Sequence, residues 1–400
     1  MKGRLVWVIA AAVVLAAIVS VPGAVAKNGP AWAYLLYLDA DNSLDVNAGA
    51  HHVPVVQSDL DELMSVGSTP AVAVYVLVDR IDGPAHLFYV APGALVEQTA
   101  FALDGQEANM GDPATLRSFV AYANAAATPQ HTLLIFWDHG SPDYVAYDEH
   151  AGPAGGADHL THQEVIQALD GFHVDVIGAD ECLVGQLEVA YEYVAKGLQA
   201  DYLVAAQTYT GWRGYPYDWT LQALVDEPGM TPRQVAVMMI EETQRLLSQS
   251  PHSGEEINAH AAIDLAAIPG LASSVIDLTR LLTPDMKANA GLVSKARGDA
   301  VYSYGANALN LVDLKTFVLR IAQGTQSDAV RQACLAVATN VDLAVVALQA
   351  TKTTDHQLTG LGIAFPNHPG EVPSYYANFA FPALGWMDFL EAYWAANGAT

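Results

Sequence analysis

Two side chains carry the strongest chemical signal in this sequence. Cys182 lies in Gly178-Ala179-Asp180-Glu181-Cys182-Leu183-Val184-Gly185, and His139 lies in Trp137-Asp138-His139-Gly140-Ser141. Each follows a largely apolar run, Val174–Ile177 for the cysteine and Leu133–Trp137 for the histidine. A thiolate is a strong nucleophile, and an imidazole beside it can take the thiol proton and return it to a leaving amine. The pair therefore reads as a candidate cysteine hydrolase centre. Gly140 has no Cβ, so a substrate backbone can approach it closely, and its N–H together with that of Cys182 would make an oxyanion hole. Asp180 precedes Cys182 by two residues, and extended backbone puts both side chains on one side. A carboxylate there can floor a pocket for an Arg or Lys side chain. The same alternation turns Glu181 away from the site, where it is expected to perturb the thiol little.

These residues need strands that end at a common crevice. Candidate strands are 31–38, 71–79, 86–91, 133–137, 174–179, 202–206 and 362–365, most of them near-continuous apolar runs expected when both sheet faces are covered. Candidate helices between them include 55–66, 112–126, 161–169, 184–195 and 231–247. Asp112 caps a helix with Pro113 in its first turn, and Thr161 with Glu164 forms a capping-box pattern. The alternation predicts a three-layer αβα sandwich around a mostly parallel sheet. From about residue 265 to 350 the pattern turns mostly helical, with a last strand and helix at 362–366 and 385–396. In an open α/β sheet the crevice beyond the carboxyl ends of the strands is the expected site, and both reactive residues fall there. The loops 142–159 and 207–218 follow strand ends and are placed to line it.

Composition bounds the surroundings. The 400-residue chain has 43 Asp and Glu against 17 Lys and Arg, a net charge of -26, and 52% hydrophobic residues. Such a surface repels phosphate backbones, which argues against nucleic-acid binding and favours cationic peptides and divalent cations. Residues 1–26 read as a secretory signal, with Lys2 and Arg4 before an apolar stretch and Ala24-Val25-Ala26 as the cleavage site. An uncleaved anchor is the alternative. No later stretch reads as apolar and long enough to span a membrane, so the mature chain is expected to be secreted and free of the membrane. The division that follows is a signal at 1–26, a catalytic domain at 27–255 and a helical region at 256–400 that completes the sheet. Only two cysteines are present, and Cys334 lies in a helical apolar pattern that reads as an inert buried position. A Cys182–Cys334 disulfide is the competing structural reading.

Several motifs in order resemble one peptidase family. They are Tyr37-Leu38-Asp39-Ala40-Asp41-Asn42-Ser43-Leu44, Val78-Asp79-Arg80, Asn109-Met110-Gly111-Asp112-Pro113, Trp137-Asp138-His139-Gly140-Ser141, Asp180-Glu181-Cys182-Leu183-Val184-Gly185 with Glu188-Val189-Ala190-Tyr191, and Leu361-Gly362-Ile363-Ala364-Phe365-Pro366. Taken together they resemble the clostripain family, in the caspase-like clan that also holds legumains and gingipains. The resemblance spans roughly residues 32–390. It implies a caspase-like sandwich and peptide-bond hydrolysis, with His139 as base, Cys182 as nucleophile and Gly140 in the oxyanion hole. It also implies an acid at Asp180 and cleavage after basic residues. The family's second acid is expected after the next strand, where this chain reads Ala206-Gln207-Thr208. That departure leaves a Lys preference or a looser P1 open. Glu181 replaces a usually small residue. No Lys or Arg occurs between Arg117 and Lys196, which excludes self-cleavage at a basic residue in the loop after the histidine.

The chemistry needs no cofactor, and calcium is a candidate because some relatives require it. Asp39, Asp41, Ser43 and Asp45 alternate like half of a calcium loop, although Ala50 stands where the closing Glu belongs. Asp143, Asp148, Glu149, His150, Asp158 and His159 form a second, irregular candidate cluster, and His51-His52 reads as an exposed turn. The expected partners are peptide or protein substrates. A catalytically inactive family member acting as a secreted binding module is the alternative function.

Overall fold

The computed structural model describes residues 29–47, 55–101, 107–151, 155–211, 213–249, 259–302, 310–350 and 358–398. The segment 1–26 read as a secretory signal, Ala50 and the His51-His52 pair lie outside them.

The strands are β1 (Trp32–Ala40), β2 (Val72–Arg80), β3 (His86–Ala91), β4 (Ala94–Glu97), β5 (His131–Trp137), β6 (Tyr144–Asp148), β7 (Asp158–Thr161), β8 (Val174–Asp180), β9 (Ala200–Ala206), β10 (Ala259–Asp264), β11 (Leu311–Asp313), β12 (Val345–Ala350) and β13 (Gly362–Ala364). Nine of them form one sheet in the order β12-β10-β9-β8-β5-β1-β2-β3-β4. The five central strands, β9 to β2, run parallel. Antiparallel strands flank them on both sides. The buried strands β1 and β8, and β5 after its first residue, read as near-continuous apolar runs because helices cover both faces.

The helices are α1 (Ser43–Asn47), α2 (Val55–Val66), α3 (Pro113–Ala127), α4 (His162–Ala168), α5 (Leu187–Ala195), α6 (Tyr217–Asp226), α7 (Pro232–Gln249), α8 (Ile268–Leu282), α9 (Met286–Ala300), α10 (Leu314–Gly324), α11 (Asp328–Ala344) and α12 (Trp386–Ala396). Two cores result. One face of the sheet packs on α2, α6 and α7, with Trp32, Tyr34, Leu36 and Leu38 of β1 in this layer. The alternate residues Ala33, Leu35 and Tyr37 join the other core, under α3–α5 and α8–α12. This is the αβα sandwich expected from the sequence. Local signals acted as read: Asp112 accepts from Ala114 N–H at 2.8 Å, and Thr161 with Glu164 closes a reciprocal capping box.

Three features depart from the expectations. β10, just before the stretch read as mostly helical, and β12, at its end, were not read as strands, and both extend the main sheet. The stretch read as a loop at 142–159 holds β6 and the start of β7, a hairpin bulged at Ala146, whose φ is +51°. The helical run Leu265–Ala300 is long and apolar enough to cross a membrane by length and composition, contrary to expectation. Half of its most apolar window is buried, and a 3₁₀ turn at Thr283–Asp285 divides it into α8 and α9, which pack into the core.

Candidate active site

β1 is hydrogen-bonded to β2 on one side and β5 on the other, and the helices after β1 and β2 cover opposite faces. The strand order therefore reverses beside β1, and the crevice opens beyond the carboxyl ends there. His139 leaves the end of β5 and Cys182 the end of β8. Both line one cleft of about 200 Å³, with Asp180, Trp137, Thr210 and Gly214 among the other walls.

The nucleophile turn is tightly held. Leu183, directly after the thiol, takes a left-handed conformation (φ +65°), which costs a branched residue energy and persists only where surroundings impose it. The restraints come from β9 and the segment after it. Leu183 N–H donates to Thr208 O at 2.8 Å, Gly185 N–H to Ala206 O at 2.8 Å, and the Gln186 amide to the carbonyls of Leu183 and Gln207 at 3.0 Å. No hydrogen bond joins His139 to Cys182. Thr210 N–H donates to Cys182 Sγ at 3.3 Å, and His139 Nε2 shares a 3.0 Å hydrogen bond with Ser43 Oγ. Burial pushes the thiol up to about 11; Thr210 N–H partly offsets this, and the charges of Glu181, Asp180 and Asp138 add to it. Burial also lowers the His139 pKa, so its neutral, proton-accepting form prevails at neutral pH.

Asp180 stands at the pocket wall, 6% exposed. Its Oδ2 accepts from Tyr215 N–H and from Tyr217 Oη, each at 2.8 Å. Gly214 (φ +56°) makes room for this: a Cβ there would lie 2.3 Å from Asp180 Oδ2. The other oxygen, Oδ1, is buried and has no partner. Desolvation raises the carboxyl pKa to about 6, against the pull of the Tyr215 and Tyr217 hydrogen bonds. Gln207, at the position where the resemblance placed a second acid, points elsewhere. Its amide donates to Asp313 at 2.9 Å and accepts from Gly360 N–H at 2.8 Å. Thr210 and Gly211 line the cleft instead.

Gly140 and Glu181 behave differently from expectation. The space a Gly140 Cβ would fill is taken by this chain's own atoms, Glu181 Cβ at 2.7 Å and Cys182 O at 2.8 Å. The glycine lets the histidine turn pack against the nucleophile turn, so its missing side chain is not there to admit substrate backbone. Glu181 is absent from the cleft lining, as alternation requires, yet it is not in solvent. Its Oε1 accepts from Ala146 N–H at 3.1 Å, and its charge is among those that raise the thiol pKa.

Beneath the cleft lies a group of buried acids that sequence reasoning missed as a unit. Burial holds Asp39, Asp138 and Glu181 well above the usual carboxylate range, with mutual repulsion adding. Burial and then Asp148, Glu107 and Asp41 raise Asp79 to about 8. Their oxygen-only donors suit a hard cation. Among the described residues, however, they bring no three ligand atoms within 4.8 Å of one another. The alternating acids after β1 diverge: Asp45 pairs with Arg80, Ser43 with His139, and Asp41 with His150. The later cluster is likewise dispersed, Asp148 accepting from Met110 N–H and Asp158 from Asn109. Neither set brings its side chains to one point. Cys182 and Cys334 are both free thiols, with Cys334 buried in α11, so no disulfide joins them.

The pattern of the Clostripain family matches residues 36–394. The chain belongs to the clostripain family. Clostripain of Hathewaya histolytica is 25% identical over 232 residues, a match that takes in 49% of this chain and 43% of that protein. Solved structures of family members share the fold. An inactive zymogen C11 protease from Parabacteroides distasonis superposes with a TM-score of 0.67 at 16% identity, covering 90% of this chain and 99% of its own. A secreted C11 cysteine protease from Bacteroides thetaiotaomicron, in complex with an irreversible peptide inhibitor, gives 0.63 at 19% identity and covers 92% and 99%. The clostripain-family fold thus accounts for the sandwich and for the strand-end placement of His139 and Cys182.

Proposed function

We propose that the chain is a secreted cysteine endopeptidase that cleaves after basic residues through a Cys182–His139 dyad. The observation that carries this reading is the shared cleft, in which Cys182 and His139 stand beside Asp180 with its one buried, unpaired carboxylate oxygen. In the proposed reaction, His139 accepts the thiol proton as Cys182 Sγ bonds to the scissile carbonyl carbon. The N–H groups of Gly140 and Cys182 stabilise the oxyanion. Collapse breaks the C–N bond, and the imidazolium gives its proton to the departing amine. Water, deprotonated by His139, then hydrolyses the thioester and restores the thiol. No cofactor takes part. Asp180 Oδ1 receives the Lys or Arg side chain at P1. Secretion follows from the leader at 1–26, and 27–255 and 256–400 are the proposed catalytic and C-terminal parts.

The test is cleavage of a peptide library varied at P1, in calcium-containing and calcium-free buffer, by the purified protein and by Cys182→Ala and His139→Ala. Cleavage after Lys or Arg that disappears in both variants is the expected result. Near wild-type turnover in either variant refutes the dyad.

A second reading has its own observation. His139 is engaged by Ser43, Cys182 by Thr210, and the thiol is hard to ionise. These contacts describe a latent or inactive member acting as a binding module. Alkylation kinetics of Cys182 separate the two: rates that climb with pH only as an isolated thiol of pKa about 11 would, with and without a basic-P1 peptide ligand, favour the inactive reading.

A further inference from the structure

The opposite end of the sheet holds a second cluster with chemistry. His173 immediately precedes β8, Asp175 is its second residue, and Asp201 is the second residue of β9. Val174 is registered with Ala200 and Val176 with Tyr202, so Asp175 and Asp201 sit side by side on adjacent parallel strands. Like charges directly opposite one another on a sheet are unfavourable. Among the described residues no Lys or Arg ion pair relieves them; the ion-pair partners are His131 for Asp175 and His173 for Asp201. One ligand atom from each of His173, Asp175 and Asp201 lies within 4.8 Å of the others. Two ligands bound to one ion at about 2.0–2.2 Å are at most about 4.4 Å apart, so small rotamer adjustments close the set.

We propose that His173, Asp175 and Asp201 form a binding site for a divalent transition-metal ion of the zinc class. Asp175 is the preorganised ligand. It is 4% exposed, and His131 Nδ1 at 2.6 Å and Thr132 N–H at 2.8 Å fix its carboxylate while leaving lone pairs on both oxygens. His131 is in turn stacked on Trp32 with ring centroids 4.8 Å apart. Hydrogen-bonded support of this kind holds ligating carboxylates in position at metal centres. His173 and Asp201 are about half exposed, with 3.4 Å between Nε2 and Oδ1, and give the ion its entry path. One imidazole with two carboxylates favours zinc and its neighbours over calcium or magnesium, which prefer oxygen alone. Three protein ligands leave a fourth position to water. The site is separated from Asp180 by the length of β8, roughly 17 Å at the usual strand rise. A metal there ties β8 to β9 and takes no part in peptide cleavage.

The experiment is calorimetric titration of zinc into full-length Cys182→Ala protein, which keeps the ion off the cleft thiol. The same titration is run in that background with Asp201→Asn or His173→Gln. The expected result is one tight equivalent, weakened at least tenfold by either substitution, and a zinc-dependent rise in Tm that both variants lose and magnesium does not reproduce. Circular dichroism without metal checks that each variant is folded, and if one is not, the other decides. Peptidase activity of His173→Gln with Cys182 intact is expected to match the parent. Absence of tight zinc binding, or equal affinity in the parent and a folded variant, overturns the assignment.

Discussion

Replacing Asp180 by Asn removes a charge while keeping the shape of the pocket. Tyr215 N–H and Tyr217 Oη, each 2.8 Å from Oδ2, still find an oxygen, and the new amide nitrogen takes the place of the unpaired Oδ1. The fold is therefore expected to survive, and what is lost is the partner of a cationic P1 side chain. Truncating one member of a desolvated, hydrogen-bonded charge pair costs about 2–5 kcal/mol. A mid-range value of about 3 kcal/mol corresponds to a drop of roughly 150-fold in kcat/KM for Lys or Arg at P1. A neutral isostere such as norleucine should change by no more than a few fold. There is a pH signature as well. Burial raises the Asp180 carboxyl to about 6, so in the parent the preference for Lys over norleucine weakens as pH falls through that value. The variant has no such group and should show a flat ratio. The assay is kcat/KM for matched Lys and norleucine peptides from pH 5 to 8. An unchanged Lys-to-norleucine ratio in Asp180→Asn, or a pH-dependent ratio that persists in it, refutes the assignment of Asp180 to the P1 pocket.

Other consequences can be checked in parallel. Gly140→Ala places a Cβ 2.8 Å from Cys182 O and 2.7 Å from Glu181 Cβ, so it should cost about 1–3 kcal/mol of stability and displace the histidine turn. A Tm and a kcat/KM equal to the parent's would contradict that packing. Stability should fall as pH rises from about 6.5 to 8. In that window Asp79 (about 8) and Glu62 (about 7) keep protons in the folded state that the unfolded chain has already lost, and burial moves Asp39, Asp138 and Glu181 in the same direction. Asp79 alone contributes about 2 kcal/mol over this interval. The buried His162 and His260, lowered to about 3 and about 4, act in the opposite sense but only below about 6.5, so they do not offset the trend. A Tm that is constant or rises between pH 6.5 and 8 would show that the acids are ionised in the native state.

The parallel core was legible because its strands are buried on both faces, which leaves continuous apolar runs such as Leu133–Trp137. Of the antiparallel additions, β3 was read at 86–91, but β4, β10 and β12 were not. β4 is mostly exposed and only four residues long, and β12 follows α11 in one unbroken apolar pattern that periodicity reads as more helix. The bulge at Ala146 breaks the alternation that would have marked β6. Within the site, spacing placed Cys182, His139 and Asp180 on one cleft because strand geometry alone fixes that. Alternation also turned Glu181 out of the cleft. It carried no information on what lay behind the turn, where Gly140 and Asp138 enclose that carboxyl. Gln207 shows the same limit, since its amide is claimed by Asp313 and Gly360, both more than 100 residues away.

Asp180 and Cys182 share one short piece of backbone, the first at the last position of β8 and the second two residues on. The proposed reader of a side chain and the proposed nucleophile beside it are thus spaced by covalent geometry, a ruler two residues long that no loop movement can stretch. A one-residue deletion between them would bring the wrong parity to the cleft and disable recognition and cleavage together. On the proposed reading, specificity is open to change at the far wall of the cleft, which Thr210, Gly211 and Gly214 line. It is closed to change along β8 itself.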